Sequence, residues 1–187
     1  MEVTPLGIEG SWLARSPLLS DNRGYFREWF NLNQFEEATG RSMNFEQANI
    51  SQSVKGAVRG VHYSIAERGQ AKWITCVNGS IRDFIVDLRS SSQTFGMWIS
   101  VELNAECGSA ILIGEGLGHA FLSLEENTTL VYLCSTAFSP KDEFGINPMD
   151  PDIAIDWGTF NSDLILSEKD RLAPTLQQRL IDGKLPS

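Results

Sequence analysis

Histidine is scarce in this chain: two imidazoles, His62 and His119, serve all 187 residues. A transition-metal centre usually needs three or more protein ligands of suitable type, so the composition argues against one and no metal is expected. A general-base role near neutral pH has the same two candidates, because histidine has the unperturbed pKa nearest 7. Cysteine is sparse as well. Cys76, Cys107 and Cys134 form an odd set without CxxC spacing and read as reduced thiols of a cytoplasmic protein. Basic residues are outnumbered, 15 Lys and Arg against 24 Asp and Glu, for a net charge of −9. Such a surface repels nucleic acid and anionic membrane, both of which are bound through basic patches. A small anionic ligand stays possible where cations converge in a cleft. No apolar run approaches the length of a bilayer span, so no transmembrane helix is expected. The opening Met1-Glu2-Val3-Thr4-Pro5 has neither a basic n-region nor an apolar h-region, which speaks against a secretory signal. There is no internal repeat, low-complexity tract or linker, and the length suits one domain over residues 1–187.

What the chain does have is short runs of β-formers. Lys72 to Val77 leads through Asn78-Gly79 into Ser80 to Leu88, and Asn-Gly between two such runs predicts a hairpin. Further strands are expected over Val54 to Tyr63, Trp98 to Leu103, Ser109 to Ile113, His119 to Leu124 and Thr128 to Phe138. Turn-formers at regular spacing point to an all-β sandwich or barrel. Helices look peripheral: Leu32 to Thr39, ended by Gly40, and Pro174 to Ile181, with Gly183 beyond. On an uninterrupted strand Leu130, Tyr132, Cys134, Thr136 and Phe138 share a face, so Tyr132 and Phe138 can look into one cavity. Arg59 and His62, three apart, fall on opposite faces of a regular strand. A bulge near Gly60 would let them meet one ligand; otherwise Arg59 serves a neighbouring site.

The motifs narrow the class. Gly56 followed by five residues and His62, and the run Gly114 to His119, resemble the two motifs of the cupin superfamily, whose fold is a small jelly-roll barrel. Metal-binding cupins carry His-x-His in the first motif, and Ser64 takes the place of the second His here. More specific runs follow in order. They are Asp21-Asn22-Arg23-Gly24-Tyr25-Phe26-Arg27-Glu28, Gln47-Ala48-Asn49-Ile50-Ser51, Arg59-Gly60-Val61-His62-Tyr63, Gln70-Ala71-Lys72 and Val86-Asp87-Leu88-Arg89. After Glu115-Gly116, His119, Tyr132 and Glu143 come Asp150-Pro151, Asp156-Trp157 and Leu166-Ser167-Glu168-Lys169-Asp170. Across about residues 5 to 175 the series resembles the dTDP-4-dehydrorhamnose 3,5-epimerase family.

That resemblance implies an all-β, cupin-type jelly-roll β-barrel with a few short peripheral helices. It implies a homodimer, free of metal and dissociable cofactor, acting on a dTDP-4-keto-6-deoxyhexose. The C4 ketone acidifies the hydrogens on C3 and C5, so a base on one face and an acid on the other can invert a carbon through an enolate. By family position His62 is the base and Tyr132 the acid. Asp170 holds the His62 ring, as a carboxylate does in a triad, and Lys72 stabilises the enolate. His119 lies near the sugar and its ketone. Arg23, Arg59 and Lys169 are the candidates for diphosphate charge, with Glu28, Gln47, Asn49 and Glu143 for polar contacts to sugar, base and ordered water. Phe26 joins the binding residues, and Phe138 stands where many members have a Tyr that stacks on thymine.

Each residue has a plainer reading. A His beside Gly and Tyr is often structural, a Tyr within Leu130-Val131-Tyr132-Leu133 is often core with a satisfied hydroxyl, Asp170 could begin a terminal helix, and Lys72 could be a solvated strand residue. Phe138 leaves the choice among C3, C5 and both carbons open, so a single-carbon epimerase of an antibiotic-type deoxysugar route is the nearest alternative. Two other classes are a non-catalytic sugar-binding cupin and a metal-dependent cupin enzyme.

Overall fold

The computed structural model describes residues 1–158 and 164–187, and they form an all-β architecture with three short helices. The first sheet runs β1 (Glu2–Pro5), β2 (Ser11–Arg15), β10 (Ser109–Ile113), β7 (Lys72–Asn78), β12 (Thr128–Cys134), β5 (Gln47–Ser53). The second runs β13 (Glu143–Gly145), β6 (Ala57–Ser64), β11 (Leu117–Ser123), β8 (Ser80–Asp87), β9 (Trp98–Asn104), with β14 (Ile165–Leu166) also on β6. A separate hairpin joins β3 (Leu19–Asp21) to β4 (Gly24–Phe26). The all-β expectation holds, with the jelly-roll strands divided between two facing sheets.

Between the sheets lies one apolar layer, with Ile74, Cys76, Ile111 and Leu130 from the first and Ile81, Ile85, Leu117 and Phe121 from the second. Strands buried on both faces read as continuous apolar runs, and β7 shows why. Ile74 and Cys76 point inward, whereas Trp73 points outward, its ring edge-on to Phe30 and Phe35 at 5.1 and 5.7 Å and its Nε1–H donating to the Trp29 carbonyl. Phe35 belongs to α1 (Leu32–Thr39), which starts where Asn31 Oδ1 accepts the Gln34 amide and stops at Gly40 in the left-handed region (φ 69°). Both ends match the sequence reading, as does the expected helix near Pro174, seen as α3 (Leu176–Ile181).

Two expectations fail. Asn78-Gly79 is no hairpin: β7 lies in the first sheet and β8 in the second, so the turn is a corner between sheets. Gly79 alone takes positive φ (72°), and a Cβ there would come within 2.6 Å of Thr128 Oγ1. The run to Phe138 also stops early, at Cys134. Strand alternation therefore does not bring Phe138 to a shared face with Tyr132.

The bulge near Gly60 is real. Across β6 and β11, His62 faces His119 while Arg59 faces Phe121, so three steps on one strand match two on the other. Gly60 sits at φ 124°, where a Cβ would fall 2.4 Å from the His119 carbonyl oxygen. Gly60→Ala is therefore expected to cost at least about 2–3 kcal/mol, read as a lower denaturant midpoint. An unchanged midpoint would mean the bulge relaxes freely.

Asp87, at the end of β8, is fully buried and accepts from the Arg89 amide and guanidinium (Nε 2.9 Å, Nη2 2.7 Å) and from the Ser92 hydroxyl (2.6 Å). Burial works against its charge, but these donors win and bring its pKa down to about 2. A carboxylate depressed on folding contributes stability above its ordinary pKa of ~3.9 and loses it as pH falls toward 2, about 2 kcal/mol in all. Asp87→Asn should melt lower than wild type at pH 7, and the gap should narrow steadily between pH 4 and 2. A gap independent of pH would reject this account.

Candidate active site

Two adjoining cavities open on one end of the sandwich, and His62 and Lys169 line both. The first, about 350 Å³, is walled by Gln47, Asn49, Lys72, Tyr132, Cys134 and Phe138 together with Gln70, Glu143 and Phe144. Its polar wall is two rungs of the first sheet. Lys72, Cys134 and Gln47 are directly opposite one another across β7, β12 and β5, and Ile74, Tyr132 and Asn49 form the next rung. Opposed residues in an antiparallel pair share a face, so one register sets both rows. His62 comes from β6 of the opposite sheet and Glu143 from β13 beside it.

His62 Nε2 lies 2.6 Å from Asp170 Oδ1. Asp170 is the third residue of a capped turn, α2 (Glu168–Arg171), in which Ser167 Oγ accepts the Asp170 amide at 3.0 Å. Burial opposes the Asp170 charge, yet hydrogen bonds from His62 and from the Gly60 amide outweigh it and hold the carboxyl below its usual pKa. With Nε2 engaged, Nδ1 is the ring nitrogen left for proton transfer.

Lys72 is almost wholly buried, and burial lowers its pKa while Glu143 and Cys134 pull it back up. Glu143 Oε1 is buried without a hydrogen-bond partner among the described residues. Tyr132, half-buried, has its pKa raised by burial and by neighbouring Cys134 and Glu143, with Arg59 opposing. Gln47 and Asn49 are tied together (2.8 Å), and Asn49 Nδ2 reaches Cys134 Sγ at 3.6 Å.

Phe138 reaches the cavity mouth after the strand ends, its amide donating to Gln47 Oε1 at 2.7 Å. Arg59 lines the second cavity, of about 460 Å³, where it donates to Ser53 Oγ and the Gln52 carbonyl.

Not every residue singled out from the sequence meets His62. His119 is outside the lining of both cavities; its ring binds Asp83 Oδ2 at 2.8 Å, beside His62 on the neighbouring strand. Arg23 and Phe26 line a distinct shallow pocket on the β3–β4 hairpin, where Arg23 pairs with Asp21. Glu28 is exposed and accepts from Asn31.

Sequence reasoning passed over Asp83, Gln70, Cys134 and Phe144 as site residues. Asp83 had a readable signal, a charge at an inward position between Ile81 and Ile85, and its pKa is raised by complete burial despite His119. Among the described residues no three His, Cys, Asp or Glu side chains converge as metal ligands, and no helix is long and apolar enough to cross a membrane.

NovW, a 4-keto-6-deoxy sugar epimerase from the novobiocin biosynthetic gene cluster of Streptomyces spheroides, is 41% identical and superposes with a TM-score of 0.96 over 100% of this chain and 93% of its own. ChmJ, a 3'-monoepimerase from Streptomyces bikiniensis solved with dTDP-quinovose, is 43% identical, TM-score 0.93, over 98% and 92% of the two chains. The dTDP-4-dehydrorhamnose 3,5-epimerase of Mycolicibacterium smegmatis is 41% identical over 100% of this chain and 92% of its own. A family model for dTDP-4-dehydrorhamnose 3,5-epimerase matches residues 5–178, and with full-length identity near two-fifths the chain belongs to that family.

Proposed function

We propose that this protein is a cofactor-independent epimerase of a dTDP-4-keto-6-deoxyhexose, inverting C3 and C5. One observation carries the reading: His62 and Tyr132 enter a single cavity from opposite sheets, with the buried Lys72 amine in the same wall. A sugar ring held between the sheets has one face toward the imidazole and the other toward the phenol. His62 Nδ1 removes the hydrogen alpha to the ketone, and the electron pair moves into an enolate whose oxygen Lys72 stabilises. Tyr132 then delivers a proton to the opposite face, which inverts the carbon.

Asp170 keeps the imidazole aimed while it takes the proton. The diphosphate runs into the adjoining cavity toward Arg59 and Lys169, and the Phe138 ring offers a stacking surface for thymine. His119, held by Asp83, supports the sugar side from behind His62. The whole of residues 1–187 acts as one catalytic domain in the cytoplasm.

A single-carbon epimerase is the second reading, favoured by Phe138 in place of the more frequent Tyr and by the 3'-monoepimerase ChmJ among the relatives. Incubation of the 4-keto sugar nucleotide in D2O, followed by NMR, separates the two. Deuterium should enter both C3 and C5; entry at one carbon selects the second reading, and none at either rejects both. His62→Asn should cut wash-in about 10²–10⁴-fold. Tyr132→Phe should retain exchange from the His62 face while losing inverted product. Equal loss of exchange and inversion in Tyr132→Phe would remove the two-face assignment.

The protein is further proposed to be a homodimer, because Arg23, Phe26 and Glu28 need a second cavity to serve. Their hairpin stands free of both sheets, Phe26 is 66% exposed, and the outer strand β5 presents Ile50 at 75% exposed. Sedimentation should give twice the chain mass, and Arg23→Ala should weaken dTDP binding in the dimer. A monomer that binds dTDP as tightly as the dimer would refute the shared site.

A further inference from the structure

The chemistry proposed above leaves the C-terminal helix α3 without a role. The structure nevertheless ties it to the active cavity through one residue. Arg179 is the half-buried basic residue of its last turn, and its Nε donates to the Gly145 carbonyl at 3.0 Å. The same guanidinium lies 5.0 Å from the centre of the Phe144 ring. Lys184 Nζ sits 5.5 Å from that ring, and the Lys184 carbonyl accepts from the Tyr63 hydroxyl at 2.7 Å. Phe144 stacks on Tyr63 and lines the cavity.

These contacts converge on β13. It is a three-residue strand at the edge of its sheet, and it carries Glu143, Phe144 and Gly145. Gly145 is the register partner of His62, and a Cβ on Gly145 would stand 3.5 Å from His62 Cδ2. The backbone of β13 is therefore the floor under the catalytic imidazole. β13 is laddered to β6, with Val61 and Ile146 exchanging backbone bonds just past it (3.2 and 3.0 Å) and Ile65 donating to the Asp142 carbonyl just before it (2.9 Å), while the Gly145 carbonyl is held from outside the sheet by Arg179.

We infer that Arg179 is a positioning residue for His62: by clamping the Gly145 carbonyl and covering Phe144 it holds β13 against the imidazole, so that the ring stays in line with Asp170. Arg179 touches neither the cavity nor the reacting atoms. It acts through Gly145 and Phe144, which fixes where its loss would be felt. The effect should fall on the imidazole and on turnover, and should spare nucleotide affinity.

The two-histidine composition makes this measurable. In protein labelled with ¹⁵N-histidine, His119 gives the comparison signal: it is the register partner of His62, but its ring is held by Asp83 on β8, two strands further from β13 than β6 is. Arg179→Ala should shift or broaden the His62 ring resonances well beyond any change in those of His119. It should lower kcat about tenfold with KM changed less than about twofold, the signature of an interaction felt in the reaction and little in ground-state binding. Arg179→Lys retains a cation and a donor, and should recover most of both. Should Arg179→Ala not fold, Arg179→Met, which keeps an unbranched apolar stem and loses both the charge and the donor to the Gly145 carbonyl, is read in the same way.

His62 resonances that stay put, or that move together with those of His119, would overturn the inference, as would a lysine variant no better than alanine. The inference rests on His62 being the base, and the two fail separately. Wild-type protein without deuterium wash-in defeats the proposed function, whereas His62 resonances indifferent to residue 179 defeat only the clamp.

Discussion

The contact between His62 and Asp170, 2.6 Å long and 108 residues apart in sequence, is the constraint that the rest of the site serves. His62 reaches the inner face where it is needed because β6 takes an extra residue at Gly60, which also turns an amide toward the Asp170 carboxylate. Asp170 is fixed in turn by the Ser167 cap. A glycine that accepts positive φ, a four-residue helix and an edge strand each contribute one restraint to a single ring. None of these elements is stable alone, since short helices and three-residue strands draw their stability from packing. The setting of the His62 ring and the packing of the C-terminal segment on the second sheet are therefore coupled.

Burial penalises the charge of Lys72, and among the described residues Glu143 Oε1 is buried without a hydrogen-bond partner. Proteins seldom leave buried polar groups this way unless something else satisfies them. On the proposed mechanism, a keto sugar on its way to an enolate brings Lys72 a negative oxygen inside a weakly screening space. The energy already spent in burying the amine does not have to be spent again at the moment of reaction. On the proposed mechanism this is electrostatic preorganisation, with Glu143 opposing the effect of burial on the amine.

Much of this was legible in the sequence where the determinants are local. Asn31 and Gly40 bound α1 with no help from the rest of the molecule, so Leu32–Thr39 was readable as it stands. The bulge was legible because Arg59 and His62 conflict on a regular strand and Gly60 lies between them. Asn78-Gly79 misled because a turn signal reports a change of direction and carries nothing about which sheet receives the next strand. β5 does not read as a strand because Gln47, Asn49 and Ser51 occupy its inner positions, so the apolar alternation that betrays a strand is missing. The pairing of Asp83 with His119 and the clamp by Arg179 are long-range, and no local pattern announces them.

The division of labour between sheets follows from distance. Side chains at i and i+2 on one strand project the same way a few ångströms apart, and cannot face a hexose ring from both sides. The inner faces of two packed sheets oppose each other across about 10 Å, so residues that line one cavity from the two sheets can approach a ligand from opposite sides. On the proposed mechanism, placing His62 on the second sheet and Tyr132 on the first sets the stereochemical outcome through the architecture, before any detail of the lining. What the lining decides is how the ring is seated in that gap, and so which carbon stands between imidazole and phenol. Phe138 lies beyond the end of β12, its amide donating to Gln47, and on the proposed reading the choice of carbon is set there, outside the strand ladder. Relatives with the same two sheets and the same base can on this account differ in the carbons they invert, because the scaffold fixes the two faces and leaves the seating to a few residues outside it.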